Sequence, residues 1–190
     1  MAYVRGLLTN RPFRGVDEQF DLRLGDAIRS RAKTKPNLTI CDIACGTEGT
    51  AIWDLHNQYP QSNGIGLDYN LSEEHNDDRI KLIKGDLFEI PFENAADVSY
   101  CAFVFADIPF WDLEEAIETR ATATYQIAKT LKLNGVAFID EGSFTATREL
   151  LDQLIERIDR LNPGYSNRFQ TTNQPDIGLI GNHMVIHRLR

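Results

Sequence analysis

Along this chain the spacing of apolar positions changes repeatedly, from helical periodicity to short continuous runs and back. Phe20, Leu24, Ala27 and Ile28 recur three or four residues apart, which predicts a helix ending at the break Lys35-Pro36-Asn37. Residues 38–43 follow as a short apolar, β-branched run, a buried strand. A tight segment over residues 44–49 leads into Ala51, Ile52, Leu55 and Tyr59, a second helical stripe stopped by Pro60. Residues 63–68 and 80–84 are two more short strands, the first ending in Asp68 and the second running into Gly85-Asp86. Residues 97–106 form the longest strand candidate, and their near-continuous apolarity predicts a sheet centre covered on both faces. Asp112, with Glu115 three residues on, makes a start resembling a capping box. The helix behind it carries Leu113, Ala116, Ile117, Ile127, Ala128 and Leu131 on one face and is expected to end at Asn134-Gly135. A fifth strand is expected over 136–140. An amphipathic helix then runs from Leu150 to a stop at Asn162-Pro163-Gly164, and two final strands cover 168–172 and 184–189.

Strand and helix alternate until the chain finishes on two strands in succession. This predicts an α/β fold: a mostly parallel seven-stranded sheet with helices on both faces and a C-terminal antiparallel hairpin. With no repeat, low-complexity stretch or linker, residues 1–190 read as a single domain. A hydrophobic fraction of 42% and a charged fraction of 25% exclude wholesale disorder. No apolar run approaches the roughly 20 residues of a membrane span, and the first residues have no signal-like apolar region. Cys41, Cys45 and Cys101 lie in apolar surroundings and read as reduced thiols, so the expected location is cytoplasmic. Cys41 and Cys45 lack a paired second half, so they read as buried small hydrophobes and no metal site is expected.

The net charge is −8 and unevenly spread. Residues 1–36 hold 8 basic and 4 acidic residues, whereas residues 37–142 hold 6 basic and 19 acidic ones. An acidic body repels polyanions, which disfavours a nucleic-acid partner. In parallel sheets ligands sit beyond the carboxyl ends of the strands, so the chemistry is expected in the loops after Ile43, Leu67, Lys84 and Ala106. In the first of these, Gly46 and Gly49 allow a tight turn in which backbone amides approach a ligand. Asp42 precedes that loop; Asp68, nineteen residues past Gly49, stands where a carboxylate takes ribose hydroxyls, and Asp86 holds the equivalent tip of the third strand. Three acids at adjacent tips line one crevice.

The run Asp42-Ile-Ala44-Cys45-Gly46-Thr-Glu48-Gly49 is similar to the D-x-G-x-G-x-G loop of the Rossmann-like (class I) S-adenosylmethionine-dependent methyltransferases. Gly64-Ile-Gly-Leu-Asp68 resembles that family's second motif, Lys84-Gly-Asp86-Leu87 its third, and residues 131–141 its L-K-P-G-G-x-L-x-I-x-E run. The resemblance covers about residues 16–190 and implies a methyltransferase using S-adenosylmethionine. It implies that Ala44, Cys45 and Gly46 pass the methionine end of the cofactor, with Asp42 holding the loop and the ammonium. Asp68 would take the ribose hydroxyls and Tyr69 would lie against the adenine. Asp86 and the Leu87 N–H would bond the adenine edge, and Phe103 would approach the amino-acid moiety. Two positions depart from the pattern: Ala44 replaces a glycine, at little cost in space, and Glu48 adds a charge that either enters the crevice or turns outward at the helix start.

The same loop with Asp68 is also close to the fingerprint of NAD-dependent dehydrogenases, and Tyr125 and Lys129 satisfy the Y-x-x-x-K pair of the short-chain enzymes. In that family the pair follows the fifth strand, whereas here it precedes it. A third reading is a degenerate cofactor-binding module without catalysis. For catalysis, Asp107 beside Phe110 and Trp111 is reminiscent of the (D/N)-P-P-(Y/F/W) motif of amine-directed methyltransferases, and it is the expected acceptor-orienting group; His75, His183 and Glu141 are further candidates. The expected partner is a small-molecule methyl acceptor bearing an amine or hydroxyl. Residues 1–16, with Arg5, Arg11, Phe13 and Arg14, form a candidate lid.

Overall fold

A computed structural model describes residues 18–102, 112–140, 148–175 and 182–190. Helix α1 (Glu18–Thr34) is followed by β1 (Thr39–Ile43), α2 (Thr50–Gln58), β2 (Asn63–Asp68), the short β3 (His75–Asn76) and β4 (Ile80–Lys84). After a 3-10 turn (Leu87–Glu89) come β5 (Ala96–Cys101), α3 (Leu113–Thr130) and β6 (Leu131–Asp140). The chain closes with α4 (Arg148–Leu161), the four-residue α5 (Tyr165–Arg168), β7 (Phe169–Pro175) and β8 (Asn182–Arg188). The strands form one sheet in the order β3-β4-β2-β1-β5-β6-β8-β7. Pairings from β4 through β6 are parallel, while β3, β8 and β7 run antiparallel to their neighbours.

The α/β class, the covered faces and the closing hairpin are as the hydrophobic pattern predicts; the strand count is eight instead of seven. The extra strand, β3, is a two-residue edge pairing of His75 with Leu82 and Asn76 with Lys81, too short to leave a periodic signal. A second correction concerns the end of α3. It stops at Thr130, whose hydroxyl donates to the Ile127 carbonyl at 2.7 Å, and the strand begins at once at Leu131. Asn134-Gly135, expected as the helix end, lies inside β6, where the pairing jumps from Ala96–Leu131 to Val98–Val136 and Asn134 takes a φ of 63°. At ten residues β6 is thus the longest described strand. β5 starts at Ala96, and the predicted continuation over 103–106 lies outside the described residues.

The alternation along β5 explains its unbroken apolarity. Val98 and Tyr100 pack with Leu38, Ile40, Phe138 and Val185 under Leu24 and Ile28 of α1 and Ala51 and Leu55 of α2. Cys101 faces the opposite side with Cys41, Ile43 and Ile139, under Ile127 of α3 and Leu154 and Ile158 of α4. At the amino ends of the strands, the Asp97 carboxylate accepts from the Thr39 N–H (2.9 Å), Lys35 Nζ (2.6 Å) and Lys132 Nζ (3.3 Å). Burial raises the pKa of this carboxyl, but the bonds from Lys35 and Thr39 and the Lys132 charge outweigh it and hold the group below its usual range. Its stabilisation is therefore present above the ordinary carboxylate range and is lost as pH falls through the depressed folded value. Both lysines are partly exposed, so Asp97→Ala is expected to cost about 2 kcal/mol at pH 7. Urea denaturation at pH 7 and again near pH 3 checks the size of the loss and its decline in acid.

Candidate functional site

The loop between β1 and α2 is shaped by three left-handed residues, Ala44 (φ 66°), Gly46 (φ 77°) and Gly49 (φ 56°). The Ala44 and Cys45 N–H groups both donate to the Leu67 carbonyl, at 2.7 and 3.0 Å, which folds the loop back over the end of β2. Ala44 stands where the resembled loop has glycine. Its cost is conformational, about 1–2 kcal/mol for an L-residue in this region, instead of one of space. At Gly46 a Cβ would meet nothing within 4 Å, so the backbone there borders open space.

The Asp68 carboxylate anchors this loop from the tip of β2. One oxygen accepts from the Gly46 N–H at 2.8 Å and the other from the Asn70 N–H at 2.7 Å. Across the crevice Asp86 accepts from the Phe88 N–H at 2.8 Å and so caps the 3-10 turn that follows β4. Ala44, Asp68, Tyr69, Asp86, Leu87 and Phe88 surround a cavity of about 240 Å³ between the loops after β1, β2 and β4. Tyr69 stands at the rim, 70% exposed. Five of the expected ligand residues therefore meet at one cavity. Phe88 and Gly85 also line it and were not among the expected ones, although the adjacency of Phe88 to Leu87 is a usable signal.

Other expected positions behave differently. Asp42 does not line this cavity. It is buried on β1, opposite Gly66 of β2 and Tyr100 of β5, continuing the alternation of Leu38 and Ile40. Burial pushes its pKa up to about 8, a bond from the Tyr100 hydroxyl pulls it back in part, and the Asp68 charge adds to the rise. The Cys45 side chain likewise turns from the cavity toward Gly66, where an added Cβ would lie 2.9 Å from its sulfur. Burial, with the charges of Asp42 and Asp68, pushes this thiol well above its usual range, so it is no thiolate nucleophile. Glu48 is exposed and stands outside the cavity, the outward of its two expected placements. Phe103, Asp107, Phe110, Trp111, Glu141 and residues 1–16 lie outside the described residues.

Tyr125 and Lys129 are at the wrong end of the sheet for dinucleotide chemistry. The Asn94 N–H bonds the Lys129 carbonyl just before β5 begins, and Lys129 pairs with Glu93 at 3.2 Å, whereas the cavity lies past the strands' carboxyl ends. Asp112 accepts from the Glu115 N–H at 2.8 Å, the expected helix cap. His75 bonds Asp77 at 2.9 Å on the edge strand, and His183 is fully buried with its Nε2 3.0 Å from the Arg23 guanidinium. Because guanidinium only donates, that nitrogen accepts. Both histidines are engaged in structural contacts.

No protein-family model matches the sequence, and none of the curated protein sequences does. Solved structures do resemble the fold. An amino pentose methyltransferase of calicheamicin biosynthesis from Micromonospora echinaspora, with S-adenosylmethionine bound, superposes with a TM-score of 0.58 at 13% identity, over 89% of this chain and 91% of the other. A 16S rRNA (adenine(1408)-N(1))-methyltransferase from Catenulisporales acidiphilia gives 0.57 at 12% identity over 96% of both chains. The plantazolicin methyltransferase BpumL, in complex with S-adenosylhomocysteine, gives 0.54 at 13% identity over all of this chain and 95% of the other. The chain has the Rossmann-like fold of the S-adenosylmethionine-dependent methyltransferases.

Proposed function

We propose that the chain is an S-adenosylmethionine-dependent methyltransferase acting on a nitrogen or oxygen of a small-molecule acceptor. The observation that carries the reading is the pair of carboxylates, Asp68 and Asp86, facing one cavity at the ends of β2 and β4 beside the Ala44–Gly46 loop. The donor set fits a nucleoside. A carboxylate has about four acceptor sites, so after two backbone bonds Asp68 keeps capacity for two ribose hydroxyls. Asp86 keeps its second oxygen for an exocyclic amine, and the N–H of Leu87, at the first position of its turn, has no partner within that turn. Tyr69 at the rim supplies an aromatic face. The open backbone at Gly46 leaves room for an amino-acid moiety to pass.

Bound there, S-adenosylmethionine would supply an activated methyl group. The chain's own work is to hold the reacting atoms in line and to exclude alternatives, since proximity supplies most of the rate. In this reading Phe103 approaches the amino-acid moiety and Asp107 orients the attacking amine or hydroxyl. The surplus of 19 acidic over 6 basic residues in 37–142 favours a small acceptor over a polyanion, even though one fold neighbour is an rRNA methyltransferase.

Calorimetry with S-adenosylhomocysteine tests the cofactor. Binding is expected, with Asp68→Ala weakening it by about 1–3 kcal/mol; no binding at millimolar ligand, or preference for NAD, would remove the reading. Asp107→Asn is expected to leave cofactor affinity unchanged and to lower turnover about a hundredfold. Full activity in that variant would take Asp107 out of the site.

A further inference from the structure

Charged side chains in this fold separate along the strand axis. Asp42, Asp68, Asp86 and Asp140 stand at or just past the carboxyl ends of β1, β2, β4 and β6, the end that holds the cavity. The amino end is basic, and printed contacts tie its elements together. Lys35, just after α1, and Lys132 of β6 share the buried Asp97 carboxylate. Arg31 of α1 donates to the Asn134 carbonyl at 3.4 Å. Arg188 of β8 donates to the Leu131 carbonyl and to the Asn94 side chain. The Arg168 carbonyl accepts from the Leu189 N–H at 2.8 Å, and the Arg168 guanidinium donates to the Pro163 carbonyl at 3.0 Å. Lys33, in the last turn of α1, is exposed. The acids here are already engaged: Asp97 lies between its two lysines, Glu93 pairs with Lys129 at 3.2 Å, and Asp159 accepts from the Ser166 N–H at 3.0 Å.

Among the described residues five large apolar side chains are exposed, and three of them, Leu133, Leu161 and Leu189, stand at this basic end. Leu133 lies between Lys132 and Asn134, Leu189 between Arg188 and Arg190, and Leu161 beside Asn162, whose side chain Arg168 bonds. The stretch of β6 from Lys132 to Asp140 spans about 25 Å, well beyond a Debye length of about 8 Å, so the acidic end does not cancel the basic one.

We propose that the amino end of the sheet docks on an anionic lipid bilayer, its leucines entering the interface and its cations meeting the lipid phosphates. Charge complementarity selects an anionic partner, and the leucines select one with an apolar layer beneath its charges. A single-stranded nucleic acid would call for aromatic side chains to stack its bases. Tyr69, the exposed large aromatic among the described residues, belongs to the cavity end instead. No described helix is long and apolar enough to cross a membrane, so the contact is with the surface. Docking of this kind turns the cavity toward water and does not depend on what the cavity holds.

Sedimentation of the full chain with phosphatidylcholine vesicles containing about 30% phosphatidylserine tests it. Binding is expected in about 0.1 M salt, falling about tenfold or more in about 0.5 M salt or on pure phosphatidylcholine. Leu133→Ser combined with Leu189→Ser is expected to weaken binding about tenfold, as is Lys33→Glu alone. All three positions are exposed, so thermal denaturation is expected to show the fold intact. Leu113→Ser removes a similarly exposed leucine at the start of α3, outside the patch, and is expected to leave binding unchanged. Absence of sedimentation with the anionic vesicles would overturn the proposal. So would a double leucine variant that binds like the parent. Tighter binding to polyuridylate than to the vesicles would overturn it too, marking the patch as a nucleic-acid surface.

Discussion

Asp42→Asn is expected to make the free protein more stable, by on the order of 4 kcal/mol at pH 7, with the gain vanishing toward pH 4. The cause is burial: a carboxyl with an ordinary unfolded value near 3.8 is raised to about 8 in the fold, so the native state binds its proton more tightly than the unfolded chain does. Stability from this group is complete below the unfolded value and is lost as pH rises from there to the folded one. Asparagine keeps the shape and an acceptor for the Tyr100 hydroxyl but has no charge to bury. Paired urea titrations from pH 4 to pH 8 measure the difference. A variant less stable than the parent at pH 8 would mean that the carboxylate is compensated there by a cation.

Gly49→Ala is expected to act in the opposite direction and to cost about 3–4 kcal/mol. Gly49 caps the start of α2 in the left-handed region, at φ 56°, where an L-side chain costs about 1–2 kcal/mol. A Cβ there would also lie 2.6 Å from one methyl of Leu82 and 3.1 Å from the other, and Leu82 is itself packed with Ile52, Leu71 and Ile80. Relieving that overlap moves a core side chain and adds a comparable amount. The same change at Gly46, equally left-handed but facing open space, is expected to cost only the backbone share. Thermal denaturation of the two variants separates the contributions. Equal losses at the two positions would refute the steric part.

Where packing repeats along an element, the sequence was readable. The double-sided burial of β5 and the helix faces carrying Leu24 and Ile28, or Leu154 and Ile158, follow from period and length alone. The sequence signal of an acid at the tip of an apolar strand places Asp68 and Asp86 at the cavity they line. What escaped depends on three-dimensional depth. Asp42 carries the same signal as Asp68, yet it stands opposite Gly66, two residues short of the level of Asp68, and is buried. Asn134-Gly135 has the chemistry of a helix end, and only the pairing of β6 with β5 decides that it is a bulge instead. Tyr125 and Lys129 match a catalytic spacing that any helix face can offer, and the direction of α3 takes them away from the cavity. Gly66 lies in a stretch that resembles a family motif, and its absent side chain makes the space that Cys45 and Leu82 occupy.

The position of β8 between β6 and β7 has a consequence for synthesis. β7 comes first in the chain, but it pairs with β8, with Phe169 opposite Arg188 and Pro175 opposite Asn182. A nascent chain that has already made residues 169–175 can pack Phe169 against Tyr165 but has no strand to pair with them until residues 182–188 are made. During that interval Val136, Ala137, Phe138 and Ile139 form an open apolar edge, the one that later receives His187, Ile186, Val185 and Met184. Such an edge accepts any extended strand, including one from another copy. Chains that stop short of residue 182 would lose two paired strands instead of one and leave the β6 edge open to another chain.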